Sequence, residues 1–274
     1  MKKPAISPGT KVRLRDFDPA DAGGLRESPA TQARMKRDIQ ALSALHERLF
    51  AAQSHSVLIV LQGIDTAGKD GTIRHVFTGV NPQGCRVVAY RKPTPEESAH
   101  DYLWRVHRET PAKGEIAIFN RSHYESVLVE RVHRLASEKV WKRRYAEIRE
   151  FEQLLTRSGT ILLKFFLHLS KAEQKRRLQA RLADPDKRWK ANPDDWHERR
   201  LWKEYRRAFE DMISKTSTRN APWHVIPSDV KWYRNLLVAH TIVRSLKPYD
   251  RQWRDAARRR GREALSGSTR GGGA

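Results

Sequence analysis

Five short apolar runs constrain this chain more than anything else in it: VLIVL at 57–61, CRVVAY at 85–90, EIAIF at 115–119, ILLKFFLHL at 161–169 and WHVIP at 223–227. Runs of this length without polar alternation suit strands buried on both faces, and such strands belong to parallel sheets whose crossovers are helices. Helical patterns separate the runs, so the order predicts an α/β fold, three layers around a five-stranded, mainly parallel sheet. The helix starts agree. Ser28 offers a cap hydroxyl ahead of Pro29, and Met35, Ile39, Leu42, Leu45 and Leu49 then recur at helical spacing as one buried face. Thr94, Pro95 and Glu97 form a capping box, and Ser170 with Glu173 forms another after the fourth run.

The first run leads directly into Gly63-Ile64-Asp65-Thr66-Ala67-Gly68-Lys69, a GxxxxGK string between a strand and a helix. That placement is what a phosphate-binding loop requires. Gly63 and Gly68 let the backbone bend round a phosphate, successive N–H groups donate to its oxygens, and the helix N-terminus adds positive potential. Gly63, Thr66, Ala67 and Gly68 are therefore candidate phosphate contacts, together with Asp70, Gly71 and Thr72 of the first helical turn. Lys69 brings a mobile full charge to the group being transferred. Asp70 stands where Ser or Thr usually follows the lysine, which moves the expected hold on Mg²⁺ to Asp65, with Thr72 or Asp70 assisting through water.

The third run ends in Phe119-Asn120-Arg121-Ser122-His123-Tyr124-Glu125. Ligands gather at the carboxyl ends of parallel strands, so Asn120, Arg121 and Glu125 are expected to face the same cleft as Lys69. Many enzymes with this loop have Asp at the position of Asn120 to hold the metal or its water; here that carboxylate is absent. Between 181 and 200 the sequence RLADPDKRWKANPDDWHERR is dense in charge and poor in aliphatic residues, the composition of a surface lid.

Charge bounds the partners. Lys plus Arg number 54 against 32 Asp plus Glu, a net of +22. From Arg251 onward seven arginines face only Asp255 and Glu263, so the basic end carries +5 and the body keeps +17. An excess of this size points to polyanionic partners, and by itself fits nucleic acid, an acidic membrane surface or a chain of phosphates equally. The single cysteine, Cys85, excludes an internal disulfide framework and a cysteine-based zinc site. No run approaches the roughly 20 apolar residues of a membrane span. With no signal-like segment in MKKPAISPGT, the expectation is a cytoplasmic protein.

The strings GIDTAGKDGTIRHVF, VNPQGCRV, IFNRSHYESVLVERVH, RLADPDKRWK and APWHVIPSDVKWYRN together resemble the second family of polyphosphate kinases, from about Pro8 to about Val243. The resemblance implies a thymidylate-kinase-like P-loop core with a helical lid. It implies Mg²⁺-dependent, reversible phosphoryl transfer between polyphosphate and AMP, ADP or ATP, with Mn²⁺ as a substitute metal, other purine nucleotides as further substrates and a dimeric or tetrameric assembly. Asp65 resembles that family's metal-binding loop acid and Lys69 its loop lysine. Arg121 and Arg181 resemble the two arginines that clamp the phosphate chain, with Arg188 a third. Glu125, where a diphosphate-specific subclass has Asn, resembles class III, which takes both mono- and diphosphates, and is the candidate for a second metal anchor beside Asn120. The domain plan is then an arm over 1–30, a kinase domain over 31–250 with its lid near 181–200, and a basic, disordered tail over 251–274.

Blander readings stand beside these. Arg181 and Arg188 have the setting of solvated charges, His123 that of a packed histidine, and Glu130 with Arg131 that of a helix-surface pair. Trp189, Trp196 and Trp202 are expected to pack the lid on the core. An ATP-dependent nucleoside monophosphate kinase of the same fold is the nearest rival. A nucleic-acid-binding P-loop protein is the other; no nucleic-acid motif supports it and no nucleic-acid or membrane partner is expected.

Overall fold

The five apolar runs are the strands of one sheet in the structure, a computed structural model that describes residues 5–190 and 194–268. They are β1 (Ser56–Gln62), β2 (Cys85–Ala89), β3 (Ile116–Asn120), β4 (Thr160–His168) and β5 (Trp223–Pro227), in the order β2-β3-β1-β4-β5 with every neighbour parallel. The helices are α1 (Pro29–Ala52), α2 (Lys69–Val76), α3 (Pro95–Ser98), α4 (Trp104–His107), α5 (Val129–Val132), α6 (Glu138–Arg157), α7 (Lys171–Ala183), α8 (Asp194–Arg200), α9 (Trp202–Thr216), α10 (Lys231–Leu246) and α11 (Asp250–Ser268). Residues 1–4 of the expected arm, 191–193 of the expected lid and 269–274 of the expected tail lie outside the described residues.

Central strand β1 is buried along its whole length. Val57, Ile59 and Leu61 face α1, α2, α10 and α11, while Leu58 and Val60 face α6, α9 and the arm. This two-sided burial is why the strands read as continuous apolar runs. The arm is part of the core. Ile6, Val12 and Leu14 are buried, the Ile6 N–H donates to the Trp223 carbonyl at 2.8 Å, and an antiparallel bridge from Ala5 to His224 covers the outer edge of β5.

The caps form as the sequence predicts, with one difference. Ser28 and Thr94 both close capping boxes. Ser170 caps α7 through the Glu173 N–H, but its own N–H donates to Asp229 at 2.8 Å, and the Glu173 carboxylate turns to Arg176 and Arg177 instead. Two guanidinium partners outcompete one backbone amide for a charged acceptor.

The expected disordered tail is corrected: α11 continues to Ser268, with Trp253 fully buried and Ala256 beside it on one apolar stripe against α1. Trp253 donates to His55 at 3.2 Å and Arg260 to the Ala51 carbonyl at 2.9 Å. Over 181–200 the described residues are the end of α7, a 3₁₀ segment Pro185–Lys190 and α8. Trp189 is 78% exposed there, so it does not pack the segment on the core. Glu130 and Arg131 are not a pair; they reach Arg144 of α6 and Asp211 of α9, tying α5 to both helices.

Inside the sheet's second face lies an ion pair with no exposure. Lys164 of β4 donates to Glu152 of α6 at 2.6 Å, to the Thr216 carbonyl at 2.7 Å and to the Tyr124 hydroxyl at 3.0 Å. The Tyr124 hydroxyl donates in turn to Glu152 at 2.6 Å, and His123 lies 3.4 Å from the same carboxylate. Tyr124 and His123 follow β3 directly, so this network anchors the segment that carries Arg121 and Glu125. Burial alone would raise the Glu152 carboxyl, but Lys164 and His123 outweigh it and hold it below the usual carboxylate range.

Glu152→Gln should therefore cost about 3–5 kcal/mol in urea denaturation, because it strands the Lys164 charge in the core. A loss under about 1 kcal/mol would contradict this role. The lowered carboxyl contributes stability above its ordinary titration near pH ~4.3, lost as the pH falls through its folded value, so the variant should also show a shallower loss of stability in acid.

Candidate functional site

Beyond β1 the chain cannot stay extended, because α2 must pack back on the sheet, and the turn between them is the Gly63–Lys69 loop. Thr66 and Gly68 take left-handed backbone angles, φ 66° and 104°. A side chain at Gly68 is also excluded by space, since its Cβ would lie 1.9 Å from a guanidinium nitrogen of Arg234. Thr66 is strained there, at a cost on the order of 1 kcal/mol, and is held by its carbonyl, which accepts from Arg177 at 3.0 Å.

Lys69 starts α2 and arches back over the loop, donating to the Gly63 carbonyl at 2.8 Å and the Ile64 carbonyl at 3.4 Å. It is buried. Desolvation and then Arg121 lower its pKa, opposed by Asp65, Glu125 and Asp70. The ammonium is thus poorly hydrated and surrounded by charges it can exchange for a phosphate oxygen.

The end of β3 meets this loop. Arg121 has φ 63° and its N–H donates to the Leu61 carbonyl, which turns its side chain toward the P-loop. Its guanidinium donates to Asp65 at 2.5 Å and to Glu125 at 3.3 Å, so one cation is shared by two carboxylates. Burial works against the Arg121 charge, but Glu125 and Asp65 outweigh it and raise its pKa. Burial likewise opposes ionisation of Asp65, and Arg121, Lys69 and Arg181 together hold its carboxyl below the usual range. Asn120 donates to Asp70 at 2.6 Å, linking β3 to the first turn of α2.

Several expected residues sit elsewhere. Thr72 is fully buried with its hydroxyl 3.4 Å from Asn235 of α10, facing away from the loop's mouth. Gly71 lies beside the Arg234 guanidinium. Arg181 pairs with Asp195 of α8 at 3.1 Å and is close enough to Asp65 to stabilise its charge, so α7 does bring it to the site. The Arg188 guanidinium donates to the Leu182 carbonyl at 2.8 Å, at the exposed end of α7. His123 is a packed histidine, at 3% exposure.

Two arginines that the sequence reading does not single out lie behind the loop. Arg177 of α7 donates to the carbonyls of Thr66, Ala67, Ser228 and Asp229, and Arg234 of α10 donates to Ala67 at 3.1 Å. Their sequence signal is a charge on the apolar stripe of a helix: Arg177 beside Leu178, and Arg234 between Tyr233 and Leu237. Gln174 also reaches the loop, donating to the Asp65 carbonyl at 3.3 Å. A cavity of about 510 Å³ opens beside Ile64, walled by Phe17 of the arm, Phe166, Trp202 and Tyr205.

This arrangement gathers cations and backbone donors around the bend of the loop, with carboxylates within reach. Comparison with known proteins points the same way. The family described as Polyphosphate kinase 2 matches residues 26–254. An AMP/ADP-polyphosphate phosphotransferase of Meiothermus ruber is 51% identical over 90% of this chain and 93% of its own, and an ADP-polyphosphate phosphotransferase of Rhodopseudomonas palustris is 41% identical over 84% of each. The crystal structure of a polyphosphate kinase 2 from Arthrobacter aurescens superposes with a TM-score of 0.86 at 40% identity, covering 90% of both chains. The chain belongs to the polyphosphate kinase 2 family.

Proposed function

We propose that this protein is a polyphosphate-dependent nucleotide kinase, which transfers the terminal phosphoryl group of inorganic polyphosphate to AMP and ADP, reversibly and with Mg²⁺. The observation that carries the reading is the convergence of Lys69 and Arg121 on the mouth of a bent phosphate loop, each already engaged with exchangeable oxygen partners. An ionised acceptor phosphate is itself the nucleophile, so the site needs charge neutralisation and in-line placement and no general base. Lys69 and the loop N–H groups would neutralise one phosphate, while Arg121 and Arg181 bridge toward the other. The names of the relatives support both AMP and ADP as acceptors.

The donor set suits Mg²⁺. Asp65 and Glu125 flank one guanidinium, and among the described residues no group of three or more metal-binding side chains exists. Mg²⁺ is typically held by one or two carboxylates with the rest of its shell from phosphates and water. Asp65 would hold it, with Glu125 as second anchor in the absence of a carboxylate at Asn120; bound there, it neutralises phosphate oxygens. The aromatic cavity beside Ile64 offers stacking surface, which a nucleobase can use and a polyphosphate chain cannot. Among the described residues no helix is long and apolar enough to cross a membrane.

With Mg²⁺, polyphosphate and ADP the protein should form ATP; formation of product only when ATP is the donor would replace this reading with a nucleoside monophosphate kinase. Lys69→Ala and Asp65→Ala should each lower kcat/KM by about 1,000-fold or more while circular dichroism stays unchanged. Turnover near wild type in either folded variant would remove that residue from the site. Trp202→Ala should raise KM for AMP by about 10-fold, on the order of one lost stacking contact, and leave KM for polyphosphate unchanged. An equal rise for both substrates would place the nucleoside elsewhere.

A further inference from the structure

We propose that Arg234 is a positioning residue for the phosphate loop, and that its buried charge is balanced by the phosphate anion the loop binds, so that anion binding and loop geometry are coupled through this one side chain. The inference rests on the reading of Gly63–Lys69 as the phosphate site and assigns the element that shapes it.

Arg234 is 3% exposed. Its guanidinium donates to the Ala67 carbonyl at 3.1 Å and, through its other nitrogens, to the Asn235 side-chain oxygen at 2.9 and 3.1 Å. Among the described residues no carboxylate lies within ion-pair distance of it, whereas its neighbour Arg177 is paired with Glu173 at 2.8 Å. A buried cation without a counter-ion costs free energy that structural arginines ordinarily avoid by pairing. Burial lowers its pKa first and Arg177 lowers it further, to about 10, which agrees with a charge lacking compensation. Burial lowers the pKa of the nearby Lys231 ammonium, and Arg177, Arg176 and Arg234 lower it further, opposed by Glu173.

The geometry supplies the compensation. Arg234 holds the Ala67 carbonyl on the inner side of the loop, and a peptide whose carbonyl points inward has its N–H, that of Gly68, pointing outward to the mouth. The guanidinium occupies the volume where a Cβ of residue 68 would stand, and it lies within 3.5 Å of the corresponding point at Gly71. It is therefore packed against the backbone of the loop and of the first turn of α2, the two elements whose amides face a bound phosphate. Arg177 does the same for the Thr66 carbonyl and also reaches that of Ala67. Asn235 shares its oxygen between Arg234 and Thr72, which locks α2 and α10 at the angle this contact needs.

The test uses Arg234→Met, which removes charge and donors, and Arg234→Lys, which keeps charge and loses the fork. Inorganic tripolyphosphate should raise the Tm of the wild type. In the Met variant that rise should vanish, and kcat/KM for polyphosphate should fall about 10–100-fold while circular dichroism remains native. In the Lys variant the rise in Tm should persist with KM near wild type, and kcat should fall about 10-fold, since charge is retained and carbonyl placement is not. A folded Met variant with wild-type Tm rise and kcat/KM would overturn the proposal. Failure of both variants to fold would overturn it too, making Arg234 a residue of fold stability. The tripolyphosphate shift needs no turnover, so a wild type inactive on every nucleotide would refute the functional reading while leaving this test intact.

Discussion

A loop that wraps a phosphate must point several consecutive N–H groups at one spot, and its carbonyls are then forced inward, where they need donors. The rest of the site follows from that constraint. Lys69 serves the Gly63 and Ile64 carbonyls, Gln174 serves Asp65, and Arg177 and Arg234 serve Thr66 and Ala67. The four donors come from three helices, Lys69 from α2, Gln174 and Arg177 from α7 and Arg234 from α10, which follow β1, β4 and β5. The sheet order β2-β3-β1-β4-β5 matters because it brings those helices to one place.

Charge is arranged in two tiers. The inner tier, Arg177 and Arg234, is buried and fixed, and it sets the shape of the loop. The outer tier, Lys69, Arg121 and Arg181, holds partners that an incoming polyanion can replace: loop carbonyls, Asp65 with Glu125, and Asp195. Beneath Arg121 the buried pair of Lys164 and Glu152 anchors Tyr124 and His123, so the segment after β3 is held from below while its arginine can exchange partners above. A net charge of +22 is then intelligible as the field around a site that presses two anions together.

Most of the architecture was legible in the sequence because it depends on local pattern. All five apolar runs are strands, the loop stands where its GxxxxGK spacing puts it, and Arg121 and Asp65 meet as two ends of adjacent parallel strands should. What was not legible depends on tertiary partners. Lys164 sits unremarked inside the fourth apolar run, and its partner Glu152, twelve residues earlier on α6, shows only in the packed structure. Arg177 and Arg234 are not singled out by the sequence, since nothing local says that the Ala67 carbonyl they serve lies 110 and 167 residues away. The basic end reads as disordered because its arginines outweigh Trp253 and Ala256 in composition, although those two apolar residues, three apart, face the core together and polar contacts from Arg48 and Arg260 join them in docking α11 on α1. The Thr72 hydroxyl donates to Asn235 of α10, 163 residues away, a partner that no local pattern announces.

The central claim is direct transfer between a phosphate polymer and a nucleotide at this loop. Incubation of the protein with Mg²⁺, unlabelled AMP and radiolabelled polyphosphate, followed by chromatography of the nucleotides, tests it most directly. The account predicts label in the β-phosphate of ADP with no added nucleoside triphosphate. Label found only in free inorganic phosphate, or in ADP only after ATP is supplied, would contradict it.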